Sequence, residues 1–217
     1  MRQFLLPLLI ILLVACSKEN KNFNSRFTII NAVPDGNSFT LLVGDIVVDS
    51  GIQFGNPKFN LTAPAATTTV RWKHQGVPGF DSAIKTDVAN NADFTLFFYD
   101  SLKYFKSYLI RDEWKQAASK TKGYIRFFQM VIGAGRLKLA NDTNKVLVAE
   151  TSFGAFSGKF IEIDSFITKL RLYNGTAILD SIASARVEPG KSYSIYAVGV
   201  LNQTDAKKPR LIIHEHQ

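Results

Sequence analysis

From Arg26 onward the chain is a succession of short apolar runs rich in Ile, Val, Phe, Thr and Tyr, broken by Pro, Gly, Asn and Asp. Residues of the first kind pack well on a pleated surface, and the breaks supply turns. Thr69 to His74 alternates cleanly, with Val70, Trp72 and His74 on one face and Thr69, Arg71 and Lys73 on the other. Lys169 to Leu172 repeats the pattern, Leu170 and Leu172 standing opposite Lys169 and Arg171. A period of two is that of a half-buried strand, so an all-β fold is predicted.

The runs also recur in order. "RFTIIN" from Arg26 resembles "IRFFQ" from Ile125, Val43-Gly44-Asp45 resembles Ala140-Asn141-Asp142, and Phe54-Gly55 returns as Phe153-Gly154. Asp81-Ser82 returns as Asp180-Ser181, and "DFTLFFY" from Asp93 as "SYSIYAV" from Ser192. These separations stay near 97 to 100 residues and keep one order, the mark of an internal duplication. The closing runs "KSYLIRD" from Lys106 and "KPRLIIHE" from Lys208 are alike as well. The period is far longer than a solenoid or propeller repeat and matches one whole sandwich of roughly 100 residues. Two tandem immunoglobulin-like β-sandwich modules are therefore expected, at residues 26–112 and 122–217. The connector 113–121, EWKQAASKT, has the Ala, Lys and Gln content for one or two helical turns.

The first residues follow another pattern. Met1-Arg2-Gln3 carries one positive charge, and Phe4 to Ala15 is a run of twelve residues with no charge. As a helix that run reaches roughly 18 Å against a hydrocarbon core of about 30 Å, and Pro7 weakens even that helix, so it reads as a targeting segment and not a span. Leu13-Val14-Ala15-Cys16 resembles the lipobox of bacterial lipoproteins. The resemblance implies a diacylglycerol on the Cys16 thiol, removal of the signal peptide 1–15, and Cys16 as the first mature residue. An ordinary secretory cut after Ala15 fits less well, because Leu13 spoils the small-x-small pattern. Cys16 is the only cysteine and no histidine lies near it, which argues against a redox or metal role. Residues 16–25 then form the lipidated cysteine and a polar tether, whose SKENKNFNS stretch reaches roughly 30 Å when extended. One acyl chain holds a membrane only marginally, whereas the three of a bacterial lipoprotein anchor firmly.

Net charge is +8, or +7 once Arg2 leaves with the signal peptide. Between Lys103 and Lys122 stand six basic residues and two acidic ones, so more than half of the excess lies in one stretch around the connector. That distribution suits a solvated linker and not a dedicated nucleic-acid groove, and no nucleic-acid partner is predicted.

Several stretches carry a more specific likeness. "IINAVPDG" (29–36), "LLVGDIVVDSGIQFG" (41–55), "LFFYDSLKYFKSYLIRDEW" (96–114) and the second "YIRFFQ" (124–129) resemble the tandem family catalogued as domain of unknown function 4397. That family is common in secreted and lipid-anchored bacterial proteins. Its opening strand is followed by an Asn-x-x-Pro-Asp turn, matched here by Asn31, Pro34 and Asp35, then by a hairpin and a Phe-Gly corner. In module two Gln129-Met130-Val131-Ile132 stands in that place, so the role of the turn is expected to be lost or altered there.

Signals for chemistry are sparse. Pro189-Gly190-Lys191-Ser192 lacks the first glycine of a phosphate-binding loop, Ala185 standing there, and reads as a hairpin turn; Gly133-Ala134-Gly135 has Lys138 in place of a third glycine and reads as a turn. His214 and His216 fall on one side of an extended chain, but no third metal ligand is evident. There is no Gly-x-Ser-x-Gly elbow, and Glu150, Glu162 and Asp164 have no partner acid at a spacing that would serve glycoside hydrolysis. Phe97, Phe127 and Phe160 read as core, whereas Trp72 and Trp114 are the candidates for stacking on a sugar ring. Asp81-Ser82-Ala83, Asp100-Ser101-Leu102 and Asp180-Ser181-Ile182 resemble short O-glycosylation sites of exported bacterial proteins.

The expectation is a non-enzymatic protein of the cell envelope, without cofactor or metal. It is held to the outer membrane by lipid on Cys16, faces the periplasm or the outside, and has a glycan or an envelope protein as partner. The alternative is a carbohydrate-binding accessory lipoprotein of a glycan uptake system.

Overall fold

The computed structural model describes residues 24–36, 38–64, 66–77, 81–88, 91–113 and 119–216. The expected signal peptide, Cys16, most of the expected tether, Trp114 and the middle of the connector lie outside the described residues.

The first module contains β1 (Asn24–Ala32), β2 (Phe39–Val43), β3 (Ile46–Ile52), β4 (Lys58–Pro64), β5 (Ala66–His74), β6 (Asp81–Val88), β7 (Asp93–Tyr99) and β8 (Lys106–Arg111). The second contains β9 (Lys122–Ile132), β10 (Arg136–Asn141), β11 (Val146–Ser152), β12 (Ile161–Asp164), β13 (Leu170–Asn174), β14 (Ala177–Ile182), β15 (Ser192–Val200) and β16 (Arg210–Glu215). Module one pairs a sheet ordered β4-β1-β7-β8 with one ordered β3-β2-β5-β6; module two pairs β12-β9-β15-β16 with β11-β10-β13-β14. Adding eight to each strand number of the first module reproduces the second, so the duplication reaches the topology. In both copies the opening strand lies inside its sheet, parallel to the seventh strand of its module (β1 with β7, β9 with β15). These are two sandwiches in tandem, with an eight-strand order that differs from the seven-strand ABED/CFG arrangement of immunoglobulin constant domains.

Each module has its own core. In the first, Phe27, Ile29, Leu41, Val70, Trp72, Leu96 and Phe98 are buried between its sheets; in the second, Ile125, Phe127, Leu139, Leu170, Leu172 and Ile195 are. The outer sheets show the alternation expected of strands wet on one face. Val70 and Trp72 are fully buried while Lys73 is exposed, and Leu170 and Leu172 point inward with Arg171 on the other face. The inner sheets do not alternate: β7 is buried from Phe94 to Tyr99, and β15 from Ser192 to Gly199. Strands covered on both faces read as continuous apolar runs. Their second faces meet in a third core, where Ile30, Ala32, Phe97 and Tyr99 of module one pack with Phe128, Met130, Tyr196 and Val198 of module two. The molecule is a stack of four sheets.

The tether ends earlier than the composition suggested. Asn24 and Ser25 already belong to β1, pairing with Pro64 and Ala63, and Ser25 is fully buried. A polar pair at the head of a strand carries no apolar signal, yet β4 is long enough to hold it. Of the connector, Glu113 and residues 119–121 are non-helical, and 114–118 lie outside the described residues.

Module two keeps part of the hydrogen bonding of the Asn-x-x-Pro-Asp turn and alters the rest. Asn31 Oδ1 accepts from the Val33 N–H at 2.9 Å, and its amide donates to the Ile52 carbonyl at 3.1 Å. Gln129 Oε1 likewise accepts from the Val131 N–H at 2.6 Å, and its amide donates to the Ala134 carbonyl at 3.0 Å. In both copies the same residue's carbonyl receives the N–H of the Phe-Gly corner, Gly55 at 2.7 Å and Gly154 at 2.8 Å. The turn is thus altered and not lost: the Gln129 carboxamide keeps the acceptor bond, but its amide ties to its own turn where Asn31 reaches across to Ile52 of β3.

Candidate functional site

The seam between the two inner sheets brings together the polar groups that interrupt otherwise apolar strands. Along each central strand the residues facing the other module run from polar to apolar. They are Arg26, Thr28, Ile30 and Ala32 on β1; Asp93, Thr95, Phe97 and Tyr99 on β7; Tyr124, Arg126, Phe128 and Met130 on β9; Ser192, Ser194, Tyr196 and Val198 on β15. Because β1 and β7, and β9 and β15, are parallel pairs, their polar starts collect at one end of the seam.

An ion pair sits there. Arg126 Nη2 lies 2.5 Å from Asp112 Oδ1, with the two side chains only 2% and 1% exposed. Arg126 Nη2 also reaches Ser194 Oγ at 3.2 Å, and Thr95 Oγ1 donates to Asp112 Oδ2 at 2.8 Å. The guanidinium lies 4.9 Å from the Phe128 ring centroid and 4.8 Å from that of Phe160, so the charge is packed by aromatic faces as well as paired. Asp112 follows the last strand of module one and Arg126 belongs to the first of module two, so this bond crosses the seam.

Two histidines complete the polar end. His214 stacks on Phe59 of module one with centroids 4.2 Å apart, and its Nε2 lies 3.4 Å from Thr28 Oγ1. His216 Nε2 lies 2.8 Å from Ser194 Oγ, and the two imidazole centroids are 5.0 Å apart. Burial, then the neighbouring His216, pushes His214 down to about 4, against an opposing pull from Asp112, Asp93 and Glu215. Burial, then the Arg126 charge, pushes His216 down to about 4 as well, with Asp93 opposing and Arg26 adding. Both are neutral at pH 7. No group of three or more His, Cys, Asp or Glu is placed to hold a metal among the described residues.

Contacts across the seam are reciprocal. Arg210 of module two donates to the Gly55 carbonyl of module one at 2.7 Å, while Gly154 of module two lies against Tyr99 of module one. Both corner glycines have positive φ, 62° and 73°, and a Cβ on either would overlap the side chain facing it. The Phe-Gly corner shared by the two copies is thus the point at which each module admits a side chain of the other.

Where the polar end opens to solvent there is a cleft of about 370 Å³, built from both modules. Ile110, Arg111 and Glu113 line it from one side, and Tyr124, Arg126, Lys159, Phe160 and Glu162 from the other. Tyr124 Oη lies 3.4 Å from Glu162 Oε2, and the Arg126 Nε is buried without a hydrogen-bond acceptor.

Of the two tryptophans, Trp72 is fully buried in the core of module one, its ring centroid 5.5 Å from that of Phe98, and it offers no face to a sugar. Strand alternation already placed it on the apolar side. Trp114 lies outside the described residues, as does Cys16. Phe97 and Phe127 are core, as expected; Phe160 is half-buried, under Arg126 and edge-on to His216. Asp164 is held by Lys122 at 2.6 Å and Lys145 at 2.9 Å, which push its carboxyl down to about 2. Pro189 to Ser192 and Gly133 to Gly135 form turns, with Gly190 and Gly133 at positive φ.

No protein-family model matches the chain, and neither does any curated protein.

Proposed function

We propose that this is a non-enzymatic, lipid-anchored protein of the bacterial cell envelope, whose two sandwiches form one rigid body for binding or scaffolding. The observation that carries this reading is the use of the inner sheets. Their outward faces, the largest surfaces a sandwich can offer, are spent on joining the modules, and the buried Arg126, Asp112, His214 and His216 are each engaged there with named partners. Such an arrangement fixes the relative position of loops and rim, which a scaffold needs. The likeness of residues 29–36, 41–55, 96–114 and 124–129 to the tandem family of unknown function supports paired modules of this kind, and Leu13 to Cys16 supports the anchor.

On this reading Cys16 carries the lipid, and the body hangs on the tether from the outer membrane. Changing Cys16→Ser, or blocking lipoprotein signal peptidase, is expected to abolish the mature membrane-bound form, followed by fractionation and by labelling with a fatty acid such as palmitate. Persistence of a normal mature form in the membrane fraction after either treatment would refute the anchor.

A further inference from the structure

We propose that the cleft between the modules is a binding site for a neutral saccharide, an assignment that rests on the binding role argued above. Its lining is charge-balanced: Arg111 and Lys159 are matched by Glu113 and Glu162, while the charge of Arg126 is already met by Asp112. An anion entering would face two carboxylates and a cation would face two basic groups. A hydroxyl both donates and accepts, so donor-only Arg and Lys beside acceptor-only Glu can each be satisfied by the same polyol. Tyr124, Phe160 and Ile110 supply the apolar surface against which the C–H face of a sugar ring packs. The volume of about 370 Å³ lies at the low end of small-ligand sites, the scale of one or two sugar rings. Arg126, 2% exposed and with its Nε–H lacking an acceptor, adds an unsatisfied donor beside the wall. Because both modules contribute, the site exists only while the seam is closed.

The test uses the mature chain bearing Cys16→Ser, titrated with maltose, cellobiose, lactose and chitobiose, and with Gly-Gly and galacturonate as zwitterionic and anionic probes. Binding is followed by calorimetry and by saturation-transfer NMR. At least one neutral disaccharide is expected to bind saturably. Tyr124→Ala and Lys159→Met should each weaken it about tenfold, whereas Tyr104→Ala, at an exposed ring elsewhere, should not. Unchanged melting temperatures would show that the variants remain folded. Failure of all four disaccharides to bind, tighter binding of Gly-Gly or galacturonate, or binding indifferent to both cleft variants would overturn the assignment. None of those results would touch membrane attachment through Cys16, whose own test reads localisation.

Discussion

Replacing Asp112 with alanine is expected to destabilise the protein by about 3–5 kcal/mol, the usual consequence of leaving one member of a buried ion pair alone. Arg126 would keep its charge in a site 2% exposed, with Ser194 Oγ as a hydrogen-bonding neighbour and two aromatic rings around it. Thr95 would lose its acceptor as well. Asp112→Ala combined with Arg126→Met should recover most of the loss, because the penalty belongs to the stranded charge more than to the missing attraction. Urea titrations of the four members of this cycle measure both effects. A cost for Asp112→Ala within about 0.5 kcal/mol of zero, the level of an ordinary surface change, would mean that the pair does not close the seam.

The second large effect is acid sensitivity. His214 and His216 stand at about 4 in the folded protein, below the value of about 6.5 for a solvated histidine, so the unfolded chain takes up protons first as the pH falls. Their contribution is complete above about pH 6.5, is lost progressively through the window from 6.5 to 4, and changes no further below it. Between pH 7 and 4.5 the loss amounts to roughly 2–3 kcal/mol for each imidazole, a large part of the 5–15 kcal/mol by which domains are stable. The first proton is resisted by burial, and the groups facing the pair include Arg126 and Arg26 as well as Asp112, Asp93 and Glu215. Urea midpoints measured between pH 7 and 4.5 should fall steeply, and His214→Gln with His216→Gln should flatten the profile. An equal slope in that double variant would place the acid sensitivity elsewhere.

Much of the architecture could be read from the chain. Alternation at Thr69 to His74 and at Lys169 to Leu172 placed the outer sheets, and the recurrence near 99 residues gave two copies of one topology. The seam was harder to see, because alternation reports only one buried face. Its signal was the failure to alternate: "DFTLFFY" and "SYSIYAV" are too continuously apolar for strands with a wet side. Within such runs a polar residue must have a partner, which marks Thr28, Thr95, Arg126 and Ser194. What composition could not supply was the partner's identity. Asp112 lies in the basic, linker-like stretch and becomes legible only when the fold sets it 2.5 Å from Arg126. Gln129 shows the converse limit: a motif defined by residue letters was missing in module two, while the bond its side-chain oxygen accepts was kept by a longer carboxamide, whose amide turns to a different carbonyl.

All of this turns on the two sandwiches behaving as one body. Differential scanning calorimetry of residues 16–217 with Cys16→Ser, at pH 7, tests that directly. Modules sharing the third core and the Asp112–Arg126 pair should unfold in a single transition whose calorimetric and van't Hoff enthalpies agree. Two resolved transitions, or a calorimetric enthalpy about twice the van't Hoff value, would show two independent domains and contradict the account.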